Sequence, residues 1–275
     1  TDAANNVVVK GAGNTTITTV ALTDVASIDA SALTGTLTYT NLATATTGII
    51  GSSTAKNTLN LTSTGVTVTA ITGSANDEVN LATSTGTLNV TTAAGDDKVT
   101  VNGALIGKAT IDMGAGTNDT LVLANINALA AAADDSSKVT LSGVETIVVN
   151  QNNTLFNNVL LDGKAYTIKT TNGTDGIIVN AYDKSGVATT ASTDLSGLTL
   201  STATGSAVAG VTINGLANAV NTIKGAKGDL ATYTIDDTIA TNIKGNTITV
   251  TATPVAGSGV ELEKLSKASS VGFEF

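Results

Sequence analysis

The chain has 275 residues and a formal net charge of −9, and it contains no Cys, His, Trp or Arg, so all 13 basic residues are Lys. That inventory excludes disulfides, thiolate or imidazole metal sites, Ser-His-Asp and Cys-His catalysis, and Arg clamps on phosphate. The scattered Lys residues make no basic stripe for nucleic acid, and the acidic balance favours divalent cations.

Hydrophobic residues make up 41% of the chain but aromatics only 3%. A core built from Val, Ile, Leu and Ala in short pieces fits strands better than bundled helices. No stretch approaches the ~18 apolar residues of a membrane helix. The chain starts at Thr1 rather than Met, and is expected to be a processed or excised piece of a longer protein.

In chain order, Gly11 and Gly13 precede Asn-Thr-Thr-Ile-Thr, a turn leading into a strand rather than a dinucleotide loop before a helix. Alternation of apolar residues with Thr or Asn predicts strands at residues 36–40, 65–69, 87–91, 98–101 and 247–251. Gly, Asn, Asp and Ser clusters between them are turn formers. Residues 125–135 carry an Ala run, Ala130 to Ala133, and predict one short helix; residues 261–270 are also helix-prone. The only proline, Pro254, reads as the boundary after the last strand. The polar interval 151–158 suggests a division into residues 1–150 and 151–275. Thr-x-Thr runs such as Thr36, Thr38 and Thr40 read as the solvent side of strands rather than an ice-binding array, since they recur at no fixed coil position.

Three windows carry the most information. They are Gly73-Ser74-Ala75-Asn76-Asp77-Glu78-Val79, Ala94-Gly95-Asp96-Asp97-Lys98-Val99 and Gly114-Ala115-Gly116-Thr117-Asn118-Asp119-Thr120-Leu121. Each is a small-residue turn, then Asn/Asp-Asp, then a polar residue and an apolar strand start. The aspartates recur at steps of about 20 residues, the spacing of stacked coils. Ordinary Asx-type turns account for the same residues without metal, so both readings stand at this point.

These windows resemble the calcium-binding nonapeptide of RTX (repeats-in-toxin) proteins, Gly-Gly-x-Gly-x-Asp-x-apolar-x, in degenerate form. The resemblance implies that Asp77, Asp97 and Asp119 are calcium ligands, and that Val79, Val99 and Leu121 pack inside the coils. The neighbouring Asn76, Asp96 and Asn118, and the turn glycines Gly95, Gly114 and Gly116, complete the candidate metal site. Calcium takes six to eight oxygens, so carbonyls and a neighbouring coil must contribute.

More widely, the Thr, Ala, Asn, Gly and Val texture and the phrase Gly143-Val144-Glu145-Thr146 are similar to RTX-type S-layer proteins of Gram-negative bacteria, of the Campylobacter or Caulobacter kind. That resemblance implies a right-handed parallel β-solenoid; outside residues 73–123, where the coil spacing is clear, tandem β-sandwich-like domains fit the strand pattern as an alternative. It implies type I secretion, calcium-coupled folding and a self-assembled two-dimensional lattice at the bacterial cell surface. Attachment to cell-surface polysaccharide would run through an anchoring domain not recognisable here. Neither a nucleic-acid partner nor membrane insertion is expected. A section of a secreted adhesin is the runner-up. Paired acids such as Asp96 and Asp97 are adjacent and point to opposite faces of a strand, which tells against a glycosidase cleft. A β-helical polysaccharide lyase, using calcium with a Lys base, is a remote third reading.

Overall fold

The structure is a computed structural model that describes residues 5–19, 25–41, 46–102, 109–124, 139–149, 154–157, 163–170, 177–180, 193–194, 197–202, 211–214, 220–224, 227–228, 233–236, 246–251 and 268–274. It is a β-solenoid of stacked parallel coils, with no helix among the described residues. The chain divides into two compact units. The first comprises Thr1–Asn125 with Lys138–Thr146, and the second Ile126–Ser137 with Ile147–Phe275.

In the first unit the strands alternate between two sheets. One holds β1 (Asn5–Gly11), β3 (Val25–Leu33), β5 (Gly48–Ile50), β7 (Val68–Ile71), β9 (Leu88–Thr91), β11 (Ala109–Asp112) and β13 (Thr140–Ser142), in that spatial order. The other contains β2 (Thr15–Thr19), β4 (Leu37–Asn41), β6 (Asn57–Asn60), β8 (Glu78–Leu81), β10 (Lys98–Asn102) and β12 (Thr120–Ala124). Each coil therefore gives one strand to each sheet, and every pairing is parallel. Parallel neighbours cannot be joined by a hairpin, so the chain must travel round the coil to return one strand spacing higher, about 4.8 Å.

The register stacks like on like. Ile17, Tyr39, Leu59, Val79, Val99 and Leu121 form one inward column, and Leu61, Leu81, Val101 and Leu123 form part of a second. The opposite sheet contributes Ile28, Ile49, Ala70, Val90 and Ile111. From Ile28 to Leu123 these side chains are almost wholly buried. Each buried Val, Leu or Ile stabilises by roughly 1.5–3 kcal/mol relative to exposure. Period-2 alternation puts Thr, Asn and Lys on the outside, as in the burial pattern of β10, where Val99 and Val101 are buried and Lys98 is exposed.

Coil corners are small and polar. Ser52, Ser63 and Ser84 are buried there, and the Ser52 and Ser84 hydroxyls donate to the Leu33 and Leu61 carbonyls of the preceding coil (2.7 and 3.1 Å). Thr92 likewise donates to the Met113 carbonyl of the next one (3.2 Å). These bonds satisfy carbonyls that the sheet ladders leave free where the chain bends.

Departures from the sequence reading have local causes. The strand expected at residues 65–69 starts only at Val68, because Gly65 takes φ 71° and turns the chain, leaving Val66 exposed. Thr16, Thr38 and Thr58 do share one register column, so Thr recurs at a fixed position over three coils before Glu78 and Lys98 replace it. The helix expected at residues 125–135 lies outside the described residues, as does 261–267. Residues 268–270 begin a strand instead.

The second unit is also parallel β. One set of strands is β14 (Thr146–Val149), β16 (Thr167–Thr170), β19 (Thr199–Thr202) and β22 (Lys227–Gly228). A four-stranded sheet holds β15 (Thr154–Asn157), β17 (Ile177–Asn180), β20 (Val211–Asn214) and β23 (Tyr233–Asp236). Another holds β18 (Thr193–Asp194), β21 (Val220–Lys224), β24 (Asn246–Thr251) and β25 (Ala268–Glu274). Since β25 follows Pro254, that proline does not mark the end of the last strand. Tyr166, Ile168 and Leu198 are buried in this unit.

Candidate functional site: an acidic column between coils

Asp77, Asp97 and Asp119 each stand one position before an even-numbered strand of the first unit, Asn57 opens β6, and the parallel register stacks the four in one column. Asp77, Asp97 and Asp119 are 2%, 1% and 0% exposed, a degree of burial that carboxylates tolerate only with compensation. Compensation comes from the backbone of the coil before. The Asn57 N–H donates to Asp77 Oδ1 (2.6 Å), the Asp77 N–H to Asp97 Oδ1 (2.7 Å), and the Asp97 N–H to Asp119 Oδ1 (2.7 Å). The Asp119 N–H then donates to Glu145 Oε2 (2.9 Å).

The next residue locks the same step from the other side. Lys98 N–H donates to the Asp77 carbonyl (2.9 Å) and Thr120 N–H to the Asp97 carbonyl (2.8 Å). Each acid thus clasps the coil that precedes it, side chain to N–H and backbone to C=O.

The second carboxylate oxygens fare differently. Asp77 Oδ2 accepts the Gly73 N–H (3.1 Å). Asp97 Oδ2 and Asp119 Oδ2 are buried and receive no hydrogen bond. Burial pushes the Asp97 carboxyl up to about 6; the Asp77 N–H and the Thr92 hydroxyl oppose this, while the Asp77 and Asp119 charges add to it. Burial also raises Asp77 and Asp119, the latter with help from Glu145 and Asp96.

Asn76, Asp96 and Asn118 occupy the outer side of the same bends and are exposed. They form a second ladder. The Asp96 N–H donates to Asn76 Oδ1 (3.0 Å), and Asp96 Oδ1 accepts the Thr117 and Asn118 N–H groups (3.2 Å each). The Asn118 amide donates to Asp96 Oδ2 (3.1 Å). Hydrogen bonds from Asn118 and Thr117 hold the Asp96 carboxyl below its ordinary value. Adjacent acids therefore serve opposite faces, as a strand entry requires.

The three glycines shape the bends. Gly95 and Gly114 take φ of 112° and 78°, a region that L side chains rarely adopt, and a methyl on Gly114 would meet the Ala93 carbonyl. A Cβ on Gly116 would fill the space between the Gly95 carbonyl and the orphaned Asp119 Oδ2.

Two buried carboxylate oxygens without a hydrogen bond, one of them facing the Gly95 carbonyl across the space beside Gly116, suit a hard cation in kind. Among the described residues no three acids converge on one point, so carbonyls and water would supply most of the shell. The inner residues Asp97 and Asp119 fit such an ion best. The outer Asn76, Asp96 and Asn118 are already committed to one another.

Sequence reasoning missed Asn57 and Glu145, the two ends of the column. Asn57 was findable: Lys56-Asn57-Thr58-Leu59-Asn60-Leu61 parallels Asn76-Asp77-Glu78-Val79-Asn80-Leu81 at a step of 20. Its amide also donates to Asp77 Oδ1 (3.0 Å) and to the Ser52 carbonyl (2.9 Å), which an aspartate could not do. Glu145 stands 26 residues after Asp119 and needs its longer side chain to reach back.

The fold and site define a class, a parallel β-solenoid whose coils are clasped by an interior acidic column. Comparison with known proteins finds no matching family model, no matching curated sequence and no matching solved structure.

Proposed function

We propose that this chain is a structural section of a bacterial surface layer, exported unfolded by a type I route and ordered outside the cell by calcium. The observation that carries the reading is the pair of buried, unpartnered oxygens on Asp97 and Asp119, in a column repeated coil after coil. Such a column is costly without a counter-charge, so an ion that binds only the folded state couples its own concentration to folding. The chain's residues hold and orient the carboxylates through the N–H clasps; calcium would contribute the neutralising charge. The sequence also favours a structural role, since it supplies no His, Cys or Arg for catalysis.

Thermal melting followed by circular dichroism, at pH 7 with millimolar calcium and then with chelator, tests the ion. A melting temperature higher by about 2–4 °C or more with calcium is expected, the effect of 1 kcal/mol or more on a protein of this size. Identical curves remove calcium from the reading. Electron microscopy of the calcium-loaded protein tests assembly, with two-dimensional sheets expected and dispersed particles counting for the adhesin instead.

A further inference from the structure

The sheet formed by the even-numbered strands β2 to β12 is almost free of charge. In a chain of net charge −9, these strands carry just two charged residues, Glu78 and Lys98. The parallel register sets the two side by side on β8 and β10, and the Lys98 ammonium donates to Glu78 Oε1 (3.0 Å). Both point outward and reach solvent, with side chains 52% exposed for Lys98 and 39% for Glu78. Thr58 and Thr120 flank them in the same column, one coil before and one coil after. Asn80 and Thr100 lie two residues further along β8 and β10, on the same face.

Read along the solenoid, the column is Thr, Glu, Lys, Thr; read backwards, it is the same with the charges exchanged. Consider a two-fold axis parallel to the strands and midway between β8 and β10. It lays Glu78 of each copy on Lys98 of the other, Thr58 on Thr120 and Asn80 on Thr100, with the solenoid axes antiparallel. Charges then alternate in sign at the centre, so each faces an opposite charge within its own chain and another across the contact. A two-fold axis along the solenoid instead sets Glu78 on Glu78 and Lys98 on Lys98, which like-charge repulsion disfavours. Thr suits such a contact, because its branched Cβ leaves few rotamers to lose.

We infer that the outward face of β6 to β12 packs on the same face of a second copy, antiparallel, about the axis between β8 and β10. The inference rests on the self-assembling reading above and gives it one specific contact. The face pairs with itself, so this contact closes as a dimer, and a lattice would need other surfaces to extend it. Four strands cover roughly 300 Å², well under the ~800 Å² per partner of a tight complex. A single contact is therefore weak, and gains its effect where many copies are held close together.

The test is sedimentation velocity in calcium, from micromolar to near-millimolar protein, on the unaltered chain, E78K, K98E and the double exchange E78K/K98E. The unaltered chain should dimerise. Each single variant brings like charges together across the axis and should weaken dimerisation by about fivefold or more. The double exchange restores the alternation and should dimerise as the unaltered chain does. So should an equal mixture of the two single variants, which also shows that both fold. Because the chain has no cysteine, Thr58→Cys and Thr120→Cys each introduce a unique thiol. A short thiol cross-linker should join one variant to the other, but not Thr58→Cys to itself, since those two sites stand ~14 Å apart along the solenoid. Dimerisation that ignores the charge variants, coupling of Thr58→Cys to itself, or an unaltered chain that stays monomeric overturns the inference. The surface-layer reading falls separately, on the absence of calcium-dependent sheets in electron microscopy; sheets formed equally well by E78K leave it standing and overturn this contact.

Discussion

Asp97 is the most instructive single residue, because one of its oxygens is used and the other is not. Its Oδ1 takes the Asp77 N–H, while its Oδ2 is buried and bare. Replacing it with Asn keeps an acceptor for that N–H and removes the buried charge. In chelator at pH 7, Asp97→Asn should therefore stabilise the protein by about 1–3 kcal/mol in urea unfolding, and shrink the calcium response. A destabilised variant under those conditions would show that the charge is already compensated. The pH dependence has a definite sign. The folded carboxyl sits at about 6, above the ordinary carboxylate value, so the folded state holds the extra proton. Without ions, its contribution is complete below about pH 4 and is lost as pH rises through 6. Asp77 and Asp119 are raised and act in the same direction. Melting temperature in chelator should fall between pH 4.5 and 7; a rise over that interval contradicts the assignment.

At the scale of the element, the strand positions were legible wherever Thr or Asn alternated with Val, Leu or Ile, since period 2 is visible in sequence. The depth of the acids was not legible. Asp97 and Asp96 are neighbours of one type, and only the stacked register decides that the first is enclosed and the second exposed. The same holds for Gly65, whose positive φ delays β7 until Val68 although the alternation begins earlier. Bends and strands should respond to substitution differently. Gly114→Ala places a methyl against the Ala93 carbonyl at a φ unsuited to alanine, and should cost about 2–4 kcal/mol. Leu59→Ala empties a fully buried site between Tyr39 and Val79 and should cost about 2–5 kcal/mol. Chemical denaturation checks both, and a Gly114→Ala protein as stable as the parent would mean that the bend is not as drawn.

For the molecule as a whole, contacts run from each coil to its immediate neighbours, so stability is a sum of near-neighbour terms. In hydrogen exchange, the amides of β6, β8 and β10 should therefore be protected longest, and those of β1 and β2 least. Uniform protection across the first unit would argue for a single cooperative block.

The 20-residue spacing from Asn57 to Asp77 and from Asp77 to Asp97 makes one lap of the chain an interchangeable part. Excising residues 77–96 removes β8 and β9 together, one strand from each sheet, and splices Asn76 directly onto Asp97. Asn57 would then present its N–H to Asp97 as it now does to Asp77, and Thr58 would lie beside Lys98 in place of Glu78. Such a shortened protein should still fold with a single melting step, whereas a ten-residue excision from the same place should not. A gene encoding this chain could thus gain or lose whole laps by duplication or deletion, changing its reach without redesigning a core.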